Sequence, residues 1–265
     1  MSASRLVVSV ATMLLLLTAA SVGVSYTALG CTVPPEITRF SARLPHTAGA
    51  IRSGKELVIV AIGSSSTKGV GASDPAHTYP ALLADDLRRR WPHLAVTVIN
   101  KGVGGEMAFE MLARFDRDVL PYHPQLVIWQ TGSNQVLKSG DIEGYVATIR
   151  EGINRLKAAG VDVVLMDPQF APRVLARPLH LLIVDSISAV ANEMKVAVFR
   201  RFAVMRHWLS SHQYKTEDII SSDGLHMNDV SYGCIAHLLA DTLTAAVEPE
   251  TGISRRSEVT RGANR

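Results

Sequence analysis

Apolar and polar positions alternate along the middle of the chain in blocks. Five short apolar runs recur: Glu56 to Ile62, which stops at Gly63, then Ala95 to Ile99, Leu126 to Trp129, Val161 to Met166 and Val196 to Phe199. A run of this length, bounded by a turn signal, suits a strand buried in a parallel sheet. Between the runs the spacing becomes helical. Tyr79 to Trp91 sets Leu82, Leu83 and Leu87 on one face, with Asp85, Asp86 and the Arg88–Arg90 run on others. Ala108 to Leu120, Ile142 to Ala159 and His180 to Glu193 read the same way, with Gly160 as a helix stop, and Asp229 to Ala246 is the last. Strands alternating with helices imply βαβ units and a parallel sheet covered on both faces. In open sheets of this kind ligands bind outside the carboxyl ends of the strands, so the chemistry is to be sought in the residues that follow each run.

The pattern changes at both ends. Arg5 precedes an apolar stretch from Leu6 to Val24, the layout of a secretory signal. Near ~20 residues, such a stretch can also span a bilayer as a helix. Ala28-Leu29-Gly30-Cys31 resembles a bacterial lipobox, with Ala28 where leucine is usual. Three readings stay open: cleavage with lipid added to Cys31, an uncleaved membrane anchor, and cleavage with release. All three put the rest of the chain outside the cytoplasm, periplasmic or held at the membrane, although Arg39, Arg43 and Arg52 mildly oppose that orientation. The expected organisation is a signal or anchor over 1–31, a linker over 32–54, one domain over 55–247 and a disordered tail over 248–265.

Composition narrows the function classes. With 47% hydrophobic and 19% charged residues, the chain is too apolar for disorder and long enough for a full core. The net charge of +3 is spread rather than clustered, and aromatics are only 6%, which argues against a nucleic-acid partner. Cys31 and Cys234 are the two cysteines; they exclude a disulfide framework, leave one bridge open and have no neighbours at metal-ligand spacing.

The loops after the runs carry the candidate chemistry. The first reads Gly63-Ser64-Ser65-Ser66-Thr67-Lys68-Gly69, the second Asn100-Lys101-Gly102-Val103-Gly104-Gly105, the third Thr131-Gly132-Ser133-Asn134, and Asp223-Gly224-Leu225-His226 precedes the last helix. Each alone reads as a turn or a helix cap. Together they hold the parts of acyl transfer. Ser65 offers a nucleophile, His226 a base near neutral pH, and Asp223 a group to orient the imidazole. The amides of Ser65 and Gly105 and the Asn134 side chain offer donors for an oxyanion hole. No metal or organic cofactor is required.

These loops resemble the SGNH (GDSL-type) serine hydrolase superfamily. Gly63-Ser64-Ser65-Ser66-Thr67 stands where that family has G-D-S-[LI]-T, and Asn100 to Gly105 matches N-x-G-x-x-G. Gly132-Ser133-Asn134-Gln135 stands for G-x-N-D, and Asp223 to His226 fits D-x-x-H in full. The resemblance runs from about Val58 to Leu239. It implies an α/β fold: a three-layer α/β/α sandwich around a mainly five-stranded parallel sheet, flavodoxin-like. It also implies an esterase with Ser65, Asp223 and His226 as catalytic residues and Ser65, Gly105 and Asn134 as the oxyanion hole. Two supporting aspartates of the family are Ser64 and Gln135 here. The substrate expected is a small-molecule or glycan ester, chiefly acetyl. A lysophospholipase or thioesterase-like enzyme and an inactive glycan-binding relative are the alternatives. Membrane association is expected only through the N-terminal segment or a lipid on Cys31. His207, His212 and His237, Lys68, Glu106 and Trp129 are set aside as surface, helix-start or core residues.

Overall fold

Strand formation follows the apolar runs closely, because residues such as Ile59, Val127 and Val164 find burial on both faces of a sheet. The structure, a computed structural model, describes residues 30–138 and 140–248. In chain order it contains α1 (Pro35–Thr38), α2 (Pro45–Ser53), β1 (Glu56–Gly63), α3 (Ser65–Lys68), α4 (Tyr79–Arg90), β2 (Ala95–Gly102), α5 (Ala108–Ala113) and α6 (Phe115–Asp118). Then follow β3 (Leu126–Gln130), α7 (Ser133–Lys138), α8 (Ile142–Ala158), β4 (Asp162–Met166), α9 (Pro172–Leu175), α10 (His180–Met194) and β5 (Ala197–Phe199). The last three are α11 (Arg201–Ser210), α12 (Thr216–Ile219) and α13 (Asp229–Val247). The strands form one parallel sheet in the order β2-β1-β3-β4-β5. Helices α2, α4 and α13 pack together, and α5, α8 and α10 make a second group; with the sheet they form the α/β/α sandwich.

Strand order reverses between β1 and β3, so the connections after these two strands part there, and the carboxyl edge at this point is where open sheets of this kind bind ligands. The core below is closely fitted. A Cβ on Gly152 of α8 would lie 2.3 Å from the Trp129 ring, so a helix can lie against that indole only with glycine at this position. Trp129 is fully buried, edge-on to Phe115 at 5.0 Å, and donates its Nε1–H to Met111 Sδ. Helix α13 is long and apolar enough to cross a membrane, but most of it is buried against α4 and the rest of the core.

Two expectations for the N-terminal side require correction. Residues 32–54 are not a loose tether: they hold α1 and α2, and Leu44 and Thr47 are buried. Thr47 donates both its N–H and its hydroxyl to Asp162 Oδ2 at 2.8 Å, which pins α2 to the start of β4. Cys31 is joined to Cys234 of α13 in a disulfide. A lipid thioether needs that same sulfur, so lipidation of Cys31 is incompatible with this structure. The signal or anchor expected before Gly30, and the tail beyond Glu248, lie outside the described residues.

Candidate active site

The first two loops meet because of register. β1 and β2 pair down to Gly63 opposite Gly102. Neither position tolerates a side chain: a Cβ on Gly63 would fall 2.1 Å from Thr67 Oγ1, and one on Gly102 would fall 2.0 Å from the Lys68 backbone nitrogen. The single turn of α3 therefore lies directly across the end of β2. Asn100 locks it there, donating from Nδ2 to Thr67 O at 2.8 Å and accepting the Gly102 N–H at 2.9 Å.

Ser65 is the first residue of α3, so its N–H has no acceptor within the helix. The loop before it is held from an unexpected side. Gln130, the last residue of β3, accepts on Oε1 from the Ser64 N–H at 3.0 Å, the Ser64 hydroxyl at 3.2 Å and the Thr67 hydroxyl at 3.1 Å. With a serine at position 64, a buried amide from the neighbouring strand organises the loop that carries Ser65. Sequence reasoning missed Gln130; the available signal was a polar residue ending an otherwise apolar strand.

His226 sits in a tight loop closed by a bridge between Ile220 and Met227. Asp223 organises it. Its Oδ1 accepts the N–H groups of Leu225 and His226, both at 2.9 Å, and the Ser221 hydroxyl at 2.9 Å. Its Oδ2 makes a short hydrogen bond with His226 Nδ1. The D-x-x-H spacing is thus a local device in which one oxygen shapes the turn and the other orients the ring. Partial burial pushes the Asp223 carboxyl up, but the bonds from the His226 side chain and backbone, Leu225 and Ser221 outweigh it and hold it well below the usual carboxylate range. An ionised carboxylate only accepts, so Nδ1 carries a proton, and in the neutral ring Nε2 presents its lone pair. That nitrogen lies 2.8 Å from Ser65 Oγ. Residues 161 positions apart are thereby within proton-transfer range.

The other two candidate donors lie on a second pair of loops. Gly105 adopts a φ of +84°, in the left-handed region that glycine accepts at little cost. Asn134, in the first turn of α7, is buried and donates Nδ2–H to Glu106 O at 2.9 Å, which ties it to the Gly105 loop and leaves its second amide proton for a ligand. Lys138, one turn further along α7, donates to Gly105 O at 2.7 Å. Gln135, the second replacement of a family aspartate, is buried and donates to Asp141 O at 3.0 Å. The arrangement can therefore activate a hydroxyl at Ser65, and the Asn134 amide is held against the Gly105 loop.

The residues set aside behave less uniformly. Lys68 is exposed and Trp129 is core. His207 is half-buried, 3.4 Å from Gln213 Nε2, and His212 is exposed. His237 lies 3.5 Å from Asp86 and 3.6 Å from Asp241 on the face of α13. Glu106 is not in the first turn of a helix; it forms an ion pair at 2.8 Å with Arg114, whose guanidinium also donates to Lys101 O at 2.7 Å.

The chain is similar to several esterases. An acetylxylan esterase of Geobacillus stearothermophilus is 27% identical over 134 residues, 44% of this chain and 61% of that protein. An arylesterase of Vibrio mimicus is 25% identical over 166 residues, 63% of this chain and 78% of the relative. Among solved structures, a two-domain esterase active on acetylated mannans superposes with a TM-score of 0.70 at 20% identity, over 83% of this chain and 59% of that one. An acetyl-xylooligosaccharide esterase from Geobacillus superposes with a TM-score of 0.59 at 21% identity, over 75% of this chain and 97% of its own. The chain thus spans about three fifths of the acetylxylan esterase and of the mannan esterase. The structural likenesses show the same α/β fold across the domain, and a match over residues 30–249 shows that the chain belongs to the non-GDSL lipase-like family.

Proposed function

We propose that the protein hydrolyses carboxylic esters through an acyl-enzyme on Ser65, acting on short acyl, chiefly acetyl, esters of extracytoplasmic glycans or small molecules. The observation that carries this reading is the continuous relay from Ser65 Oγ through His226 to an ionised Asp223. His226 Nε2 takes the hydroxyl proton as Ser65 Oγ attacks the ester carbonyl carbon. The oxyanion so formed accepts from the Ser65 and Gly105 amides and from Asn134 Nδ2. The intermediate collapses, the ester C–O bond breaks, and the imidazolium returns its proton to the departing alkoxide. Water then attacks the acyl-enzyme, giving a proton to His226, and Ser65 is regenerated with release of the acid. Asp223 remains charged throughout and stabilises the imidazolium.

Two observations support the finer part of the proposal. The relatives include esterases whose substrates are acetylated xylan and acetylated mannan. The Cys31–Cys234 disulfide suits an oxidising compartment outside the cytoplasm. Hydrolysis of p-nitrophenyl acetate by purified wild type and Ser65→Ala tests the chemistry: the variant is expected to lose at least ~10³-fold in kcat, and a variant as active as wild type would remove Ser65 from the mechanism. Acetate release from acetylated xylan and mannan oligosaccharides, compared with release of fatty acid from lysophospholipid, tests the substrate class.

A further inference from the structure

Gln169 stands three residues beyond β4 and belongs to none of the sequence motifs. Its side chain is 1% exposed and lies among three loops of the site. Oε1 accepts from Ser133 Oγ at 2.7 Å, from Arg201 at 3.0 Å and more weakly from Ser66 Oγ at 3.4 Å. Nε2 donates to Leu225 O at 3.1 Å. Each loop partner is the chain neighbour of a site residue: Ser66 follows Ser65, Ser133 precedes Asn134 and Leu225 precedes His226.

The amide has one allowed orientation. A guanidinium only donates and a backbone carbonyl only accepts, so the oxygen must face Arg201 and the NH₂ must face Leu225. A carboxylate of equal length would set oxygen against oxygen at Leu225, and an apolar side chain would satisfy neither end. Arg201 sharpens the point. It is fully buried, donates from Nε to Asp167 O at 3.0 Å and leaves Nη1 without a hydrogen-bond partner. Burying a guanidinium is costly, and apolar residues would fill the same space at less cost. Its charge on Oε1 polarises the amide and strengthens the donation to Leu225 O.

We propose that Gln169, held by Arg201, is a positioning residue that sets the register of the serine, asparagine and histidine loops for the ester hydrolysis proposed above. The inference rests on that reading of Ser65 and His226, so the test includes Ser65→Ala. Wild type, Ser65→Ala, Gln169→Glu and Ser133→Ala are compared on p-nitrophenyl acetate for kcat and KM, with melting temperature and the downfield proton resonance of His226 Nδ1–H. Gln169→Glu is expected to stay folded, keep KM within about twofold, lose ~10–100-fold in kcat and shift the His226 resonance, since misplacement by about an ångström is enough for such a loss. Ser133→Ala, a small truncation, is expected to lose about fivefold in kcat at unchanged KM. A folded Gln169→Glu enzyme with wild-type kcat and an unmoved resonance overturns the inference. If that variant does not fold, Ser133→Ala decides: a wild-type kcat overturns, a fall at constant KM supports. An inactive Ser65→Ala beside an unaffected Gln169→Glu overturns this inference alone, whereas a fully active Ser65→Ala overturns the site and this inference with it.

Discussion

Ser65, Asp223 and His226 act at short range on one another, and the chemistry of each depends on a few neighbouring atoms. Asn134 commits one amide proton to Glu106 O, so the proposed oxyanion hole draws on the other. Asn134→Ala is expected to lower kcat on p-nitrophenyl acetate by ~10²–10³ with little change in KM, as removal of a single oxyanion donor does. A second prediction concerns Asp167, which burial pushes up to about 7 against the opposing hydrogen bond from the Phe202 N–H and the field of Arg201. Its folded pKa lies above the unfolded value of ~3.9. Between the two the folded chain keeps a proton that the unfolded chain releases, so this group lowers stability as pH rises through that window and adds no further slope above about 7. Asp167→Asn retains an acceptor for Phe202 and is expected to flatten the fall. Urea unfolding midpoints of wild type and variant at pH values across the window check this. At this scale the motif residues were legible, since D-x-x-H and the serine loop are local patterns. Gln130 and Gln169 were not, because only the folded sheet shows what their amides reach.

Elements bring these residues together through backbone contact more than through side chains. The crossing of α3 over β2 requires Gly102, and a methyl there meets backbone rather than a flexible side chain. Gly102→Ala is expected to displace α3, lowering kcat about tenfold or more and stability by ~1–3 kcal/mol; kinetics and denaturant unfolding measure both. The five strands and the long helices were readable from apolar spacing, because burial on one or two faces imposes a period. Several helices escaped, α1, α2 and α11 among them. Helices α1 and α2 hide in a segment rich in proline, glycine and polar residues, and what fixes α2 is a contact 115 residues away, Thr47 to Asp162. Helix α11 has a weakly amphipathic sequence, and its burial around Arg201, Phe202 and Trp208 comes from the tertiary fold. Thr47→Val is expected to cost ~1–2 kcal/mol by leaving the Asp162 carboxylate short of a donor, with kcat unchanged, since the contact lies at the amino end of β4 away from the site.

Over the whole molecule, the Cys31–Cys234 bridge joins the first described residues to the last helix, across 203 positions. A cross-link closing so long a loop restricts the unfolded chain strongly, so Cys234→Ser is expected to cost ~2–4 kcal/mol. Because the bridge lies outside the catalytic loops, turnover at room temperature is expected to stay near wild type while the melting temperature falls; calorimetry with parallel kinetics separates the two. The pairing could not be read from two lone cysteines, one of them beside a lipobox-like stretch. Fold and site are coupled at this scale through the order of the sheet: the chain leaves the paired strands β1 and β3 toward opposite sides of the sheet, and the serine loop after β1 meets the turn before α13 at that edge. The central claim is that Ser65 carries the acyl group during turnover. The most direct measurement mixes enzyme with p-nitrophenyl acetate, quenches in acid within the first turnovers and maps the acetyl group by peptide mass spectrometry. An acetyl group on Ser65, absent from Ser65→Ala and persistent in His226→Ala only as a trace, is the predicted result. Sustained ester hydrolysis with the acetyl group on another residue, or on none, would contradict it.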